Sequence, residues 1–193
     1  NYQFYGWYDG QNELLSEEKT YDHYVKAEVE IHAHYVEKGA AAFSVNNVDY
    51  YDLPSAIAAS KKTAKPAILK RDYVLPVDTY TIPVGASLLI PYSASDTGTF
   101  SSTASSVKDA LANPAPYMTL TVPQGAVINV NGALNVNAQQ AASSGNYAGS
   151  VYGDYGCLKL EEGAYLNFNT GSVGYIYGFI IGQGEVAANN GSK

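Results

Sequence analysis

The stretch VINVNGALNVNA, Val127 to Ala138, alternates apolar residues with asparagine and breaks its alternation once, at Asn131-Gly132. It has three readings: a two-residue β-hairpin, a corner in a stacked β-solenoid, or an asparagine-lined binding face. Asn-Gly is the strongest short hairpin signal. A two-residue loop, however, sets Val130 opposite Ala133 and Asn129 opposite Leu134, which mixes asparagine with leucine on one face. A three-residue loop, or a corner, keeps Ile128, Val130, Leu134 and Val136 together and turns Asn129, Asn135 and Asn137 outward, which makes the asparagines the solvated side rather than a ligand site.

Two further segments favour the corner. YTIPVGASLLI (80–90), LTVPQGAVINV (120–130) and LKLEEGAYLNF (158–168) superpose without a gap, with Gly85, Gly125 and Gly163 at the same position. Repetition at a period near 40 residues marks a stacked or radially repeated architecture. Each copy reads as strand, tight Gly-Ala turn and strand. Stacking the copies directly would align Leu88, Ile128 and Leu166 in one inward column. The intervening pieces are Ser/Ala/Gly/Asn-rich excursions, and the closing GSVGYIYGFIIGQGEVAA turns every few residues.

Composition divides the chain. Residues 1–80 hold all 3 histidines, 12 of the 18 acids and 8 of the 11 bases, so two units are expected, 1–38 and 39–193. In the first, QFYGWYD, TYDHYV and VEIHAHYV read as short antiparallel strands, with Val29, Ile31, Ala33 and Tyr35 on one face and Glu30, His32 and His34 on the other. A unit this small cannot hold a strong core alone and should lean on the second unit. There, AAAFSVNNVDYY reads as strand and turn. A short helix is expected near 52–63, N-capped by Asp52 with Pro54 in its first turn, covering the open end of the stack. The expected fold is mainly all-β: a right-handed parallel β-helix with a small N-terminal antiparallel module and a capping helix.

The net charge of −7 disfavours nucleic acid and anionic membrane partners. No run of 18 apolar residues and no charged-then-apolar leader occurs, and the opening on Asn1 suggests a piece of a longer protein. The single cysteine, Cys157, reads as a buried inert thiol.

The residues carry two resemblances. Phe4, Gly6, Trp7, Tyr8, Leu15, Ser16, Tyr21, Val25, Ile31, Ala33 and Tyr35 resemble the C-terminal half of bacterial surface repeats related to the internalin B-repeat. The remainder, from FSVNNVDYYDLPSAIAASKK through GYIYGFIIGQGEV, is similar to parallel β-helix segments of large secreted or wall-attached proteins of Gram-positive bacteria. These resemblances imply an extracellular location and a stalk or adhesive role, and bring no enzymatic residues with them.

Candidate chemistry is sparse. Glu161 and Glu162 are adjacent, and neighbours on a strand face opposite sides, a poor arrangement for flanking one glycosidic bond. His32 and His34 share a face and are weak metal candidates. There is no G-x-S-x-G elbow, phosphate loop or Cys-His pattern, so no cofactor is expected. Tyrosine is the outlier, with 18 copies; Tyr147, Tyr152, Tyr155, Tyr175 and Tyr177 are candidates for a sugar platform. The expected function is a non-catalytic structural or adhesive segment whose partners are host or bacterial glycans or surface proteins. The alternatives are a carbohydrate-binding module and a fragment of a polysaccharide-active enzyme.

Overall fold

The fold is that of a computed structural model describing residues 2–11, 13–37, 39–93, 116–140 and 151–193, and it is mainly β. Strands β1 (Tyr2–Asp9), β2 (Leu14–Ser16) and β3 (Ile31–Glu37) form an antiparallel sheet in the order β2-β1-β3. Asp9 closes the β1–β2 turn, its carboxylate accepting from the amides of Gln11 and Glu13 at 2.9 Å. TYDHYV, expected as a strand, has no regular structure; its side chains are largely exposed, so it lacks the half-buried face that holds a strand in a sheet.

Strands β4 (Phe43–Val45) and β5 (Val48–Tyr50) make a true hairpin. Its turn residues Asn46 and Asn47 have φ of 49° and 63°, the paired positive values that a type I′ turn requires. Helix α1 (Leu53–Thr63) comes next, then β6 (Ala67–Leu69). Asp52 caps the helix, Oδ1 accepting from the Ser55 amide at 3.0 Å, and Ala64 ends it in the left-handed region. Leu53, Ala56 and Ile57 enter the main core, and Ser60 bonds both backbone groups of Ser87.

From Tyr73 the chain visits three sheets in rotation. The first circuit is β7 (Tyr73–Val74), β8 (Thr79–Ile82) and β9 (Ser87–Ile90); the second is β10 (Pro116–Val122), β11 (Val127–Val130) and β12 (Ala133–Val136). After the short β13 (Ala138–Gln140), β14 (Val151–Leu160), β15 (Tyr165–Phe168) and β16 (Val173–Ile176) make the third, and β17 (Phe179–Gly182) and β18 (Glu185–Ala188) begin a fourth. Equivalent strands pair in parallel: β11 lies between β8 and β15, β12 between β9 and β16, and β10 between β7 and β14. β17 then adds to β14, and β18 to β15. Inward residues of all three sheets meet in one core, in which Ile82, Leu88, Leu120, Ile128, Leu134 and Leu166 are fully buried.

Val127–Ala138 is therefore not a hairpin. β11 and β12 belong to different sheets, and Asn131-Gly132 is the corner between them. Ile128, Val130, Leu134 and Val136 are all fully buried, as the corner reading requires. Gly132 is needed for space rather than for an unusual backbone angle: a Cβ there would lie 2.3 Å from the carbonyl oxygens of Ala86 and Pro83. The asparagines differ from expectation. Asn129 accepts from the Asn167 amide at 3.0 Å, Asn137 is buried, and the Asn135 Oδ1 is buried with no hydrogen-bond partner. At Asn129 and Asn167, parallel strands place identical amides one above another, where they bond each other instead of water; Asn135 lies instead between Leu89 and Tyr175.

The Gly-Ala corners share one geometry. Ala86, Ala126 and Ala164 each donate to the carbonyl three residues back, and Gly85, Gly125 and Gly163 have φ of 87°, 81° and 77°. They do not all occupy the same place. The second and third stack directly, Gly125 donating to the Gly163 carbonyl at 3.0 Å, whereas the first lies over Asn131-Gly132. Leu88 consequently pairs with Leu134, and Ile128 with Tyr80 and Leu166, a shift of one strand from the direct superposition.

Candidate functional site

The N-terminal sheet is held on the body through its histidine face. Period-2 alternation divides β3 into two faces, and the face carrying His32 and His34 turns inward while Tyr35 is 60% exposed and packs on Phe4 at 5.1 Å. Alternation separates the two faces but does not say which one meets a neighbour with polar partners. Here the partner is the start of α1. His34 Nε2 donates to Asp52 Oδ2, so one carboxylate both caps the helix and anchors the sheet. Tyr8, 1% exposed, fills the space beside them, its ring 4.9 Å from that of His34 and 6.3 Å from that of His32.

Next to this junction lies a cleft of about 220 Å³ lined by His32, His34, Asp52, Tyr73, Asp78 and Tyr80. Burial, then the nearby Asp78, holds the Tyr80 phenol well above its ordinary range, and its hydroxyl donates to the Pro76 carbonyl at 2.8 Å. Burial likewise pushes the Tyr8 phenol far up and that of Tyr5 to about 12. A His-Asp pair serves nucleophilic catalysis when it activates a hydroxyl or thiol. The residues lining this cleft include no Ser, Thr or Cys, and Asp52 is occupied by its cap. The pair joins the N-terminal sheet to the start of α1. Among the described residues, no group of three or more His, Cys, Asp or Glu is placed to hold a metal ion.

A larger cavity of about 350 Å³ separates β2 from α1, walled by Leu14, Leu15, Pro54, Ile57 and Pro83. The Lys62–Glu17 ion pair, 2.5 Å long and exposed, spans its rim.

The tyrosine candidates are dispersed. Tyr147 lies outside the described residues, and Tyr152 is placed in β14 by its backbone alone. Tyr155 is half-buried, its ring edge-on to Phe179 with centroids 4.4 Å apart. Tyr175 faces outward from β16 at 51% exposure, and Tyr177, 39% exposed, lies past the strand in the corner leading to β17. Phe179, 42% exposed, stands two residues beyond it. Among the candidates, Tyr155 thus has an aromatic contact in Phe179, a pairing missed in the sequence because Phe179 sits in an apolar run that reads as core.

Glu161 and Glu162 lie in the third Gly-Ala corner, with Lys159 3.7 Å from Glu161. Cys157 is 1% exposed, and burial raises its thiol pKa.

No family model, curated protein or solved structure matches this chain.

Proposed function

We propose that the chain is a non-catalytic structural or adhesive segment of an extracellular bacterial surface protein, built as a right-handed parallel β-solenoid preceded by part of a surface β-repeat. The observation that carries this reading is the register: Tyr80, Ile128 and Leu166 occupy one inward column, and the parallel pairings of β11 with β8 and β15 and of β12 with β9 and β16 run without a register shift. Such stacking transmits force along its axis through backbone hydrogen bonds, the property a stalk needs. The resemblance of Phe4–Tyr35 to internalin-type repeats supports the same location. The decisive experiment incubates the purified chain with a panel of soluble polysaccharides and follows new reducing ends and unsaturated products. No turnover above buffer is expected; saturable turnover would replace this reading with that of a polysaccharide-active enzyme.

The second reading is a carbohydrate-binding module, favoured by the Tyr155–Phe179 edge contact, with Phe179 42% exposed, and by the 39% exposure of Tyr177. Aromatic faces of this kind stack on sugar rings. A glycan array tests it: signal that Tyr155→Ala and Tyr177→Ala both abolish supports binding through these residues, and background signal throughout removes it.

A further inference from the structure

The two ends of the three-sheet stack are built differently. At the first circuit, α1 and the β4–β5 hairpin lie over the core, with Leu53, Ala56 and Phe43 fully buried. At the other end the columns run out into solvent. Tyr80, Ile128 and Leu166 are 4%, 0% and 0% exposed, and the next member, Val186, is 51% exposed. Ile90 and Val136 are both fully buried, and Ile176 below them is 38% exposed. Three strands, β16, β17 and β18, are the last members of their sheets at this same end. An apolar column ending in open parallel edges is a template for another strand.

The chain itself indicates what the template takes. Asn189–Ser192 repeats the corner Asn169–Ser172: Ser192 donates to the Asn189 carbonyl and Ser172 to that of Asn169, both at 3.0 Å, and Gly191 and Gly171 have φ of 89° and 84°. The Asn189 amide bonds Asn169 Oδ1 at 2.9 Å, and Asn169 bonds Asn131 at 2.8 Å, extending one ladder across three circuits. Lys193 then donates to the Ser172 carbonyl at 3.0 Å and accepts from the Gly174 amide at 2.7 Å. These are the bonds of a parallel strand already started on β16.

We propose that β16, β17 and β18 form a docking face for a further turn of polypeptide joined in cis at Lys193, adding parallel strands in register with apolar residues over Ile176, Ile180 and Val186. The proposal rests on the structural-segment reading and deepens it: the segment is extended by repeating a turn of 20 residues, the spacing of the Asn169–Asn189 bond.

The test fuses a copy of residues 174–188 after Lys193 and compares the product with a fusion of the same composition in scrambled order. Amide hydrogen exchange across Phe179–Gly182 and Glu185–Ala188 is the readout. The copied turn is expected to slow exchange there at least about tenfold relative to the scrambled one; equal rates in the two fusions would overturn the proposal. A second pair of variants guards against misfolding of the fusion. Val186→Thr should change the melting temperature of the unextended chain little and lower that of the copied fusion clearly, whereas equal effects would count against the proposal. Sedimentation of the unextended chain separates the other occupant: a dimer with β16–β18 already protected would mean that a second copy covers this face. Glycan turnover would remove the structural-segment reading while leaving the exchange result intact, so the two failures are distinguishable.

Discussion

Ser60 and Ser87 exchange two hydrogen bonds across the join between helix and sheet: the Ser60 hydroxyl donates to the Ser87 carbonyl at 3.1 Å and accepts from the Ser87 amide at 2.9 Å. Ser60 is fully buried. One side chain therefore satisfies both backbone groups of the first residue of β9, which an apolar helix face would leave unpaired. Ser60→Ala should destabilise the fold by about 1–3 kcal/mol, read as a lower urea midpoint at unchanged m-value.

Asp52 has two separable tasks. Asp52→Ala removes the cap and the His34 partner together and should cost about 1–2 kcal/mol through the cap alone. His34→Ala removes only the second task. A double-mutant cycle in urea should give a coupling between the two positions; strict additivity would mean that the sheet is not anchored there.

Gly132 and Asn47 make opposite predictions although both sit in turns between strands. Gly132→Ala forces a methyl to 2.3 Å from two carbonyl oxygens and should lower the melting temperature or abolish folding. Asn47→Gly keeps a left-handed turn position, φ 63°, in a residue suited to it, and should leave the melting temperature nearly unchanged.

Stability should fall in alkali. Tyr5, Tyr8 and Tyr80 have folded pKa values raised above the ordinary 10.0, Tyr5 to about 12. A raised folded value means that the native state holds protons which the unfolded state releases, so this contribution is complete below pH 10 and disappears as pH climbs toward and past 12. Melting temperatures measured from pH 9 to 12 should drop, and tyrosinate absorbance should lag behind that of the denatured chain. Tyr5→Phe should flatten the drop and, because the Tyr5 hydroxyl is buried with no hydrogen-bond partner, should leave stability at neutral pH equal or higher.

Cys157, 1% exposed with its pKa raised by burial, should react with a thiol reagent only as fast as the chain opens. Labelling rates should rise with urea in step with local unfolding and stay low in its absence.

Much of the fold was legible in the residues themselves. The corner at Asn131-Gly132 came from keeping Ile128, Val130, Leu134 and Val136 on one face, and α1 came from Asp52, Pro54 and the apolar spacing after them. What escaped detection required knowledge of neighbours. Asn135 and Asn137 look like solvated positions until a parallel strand is laid on each side. His32 and His34 look like a wet face until Asp52 arrives from 18 residues on. The three Gly-Ala corners look equivalent because the local turn chemistry is identical, and only the pairing of Leu88 with Leu134 reveals that the first belongs to a different edge of the stack.

That edge assignment bears on how the chain can change length. Paired positions Thr79 and Val127, Val127 and Tyr165, and Tyr165 and Glu185 are unevenly spaced in sequence although they sit at equal steps in space. Nearly all of the unevenness falls in one passage. The route from the β9 sheet to the β10 sheet runs through residues 91–115 in the first circuit and 137–150 in the second, and in the third takes only Tyr177 and Gly178. The other corners are short in every circuit. The strands that flank this passage keep their parallel pairing although its length differs from circuit to circuit, so the pairing itself sets no fixed length there.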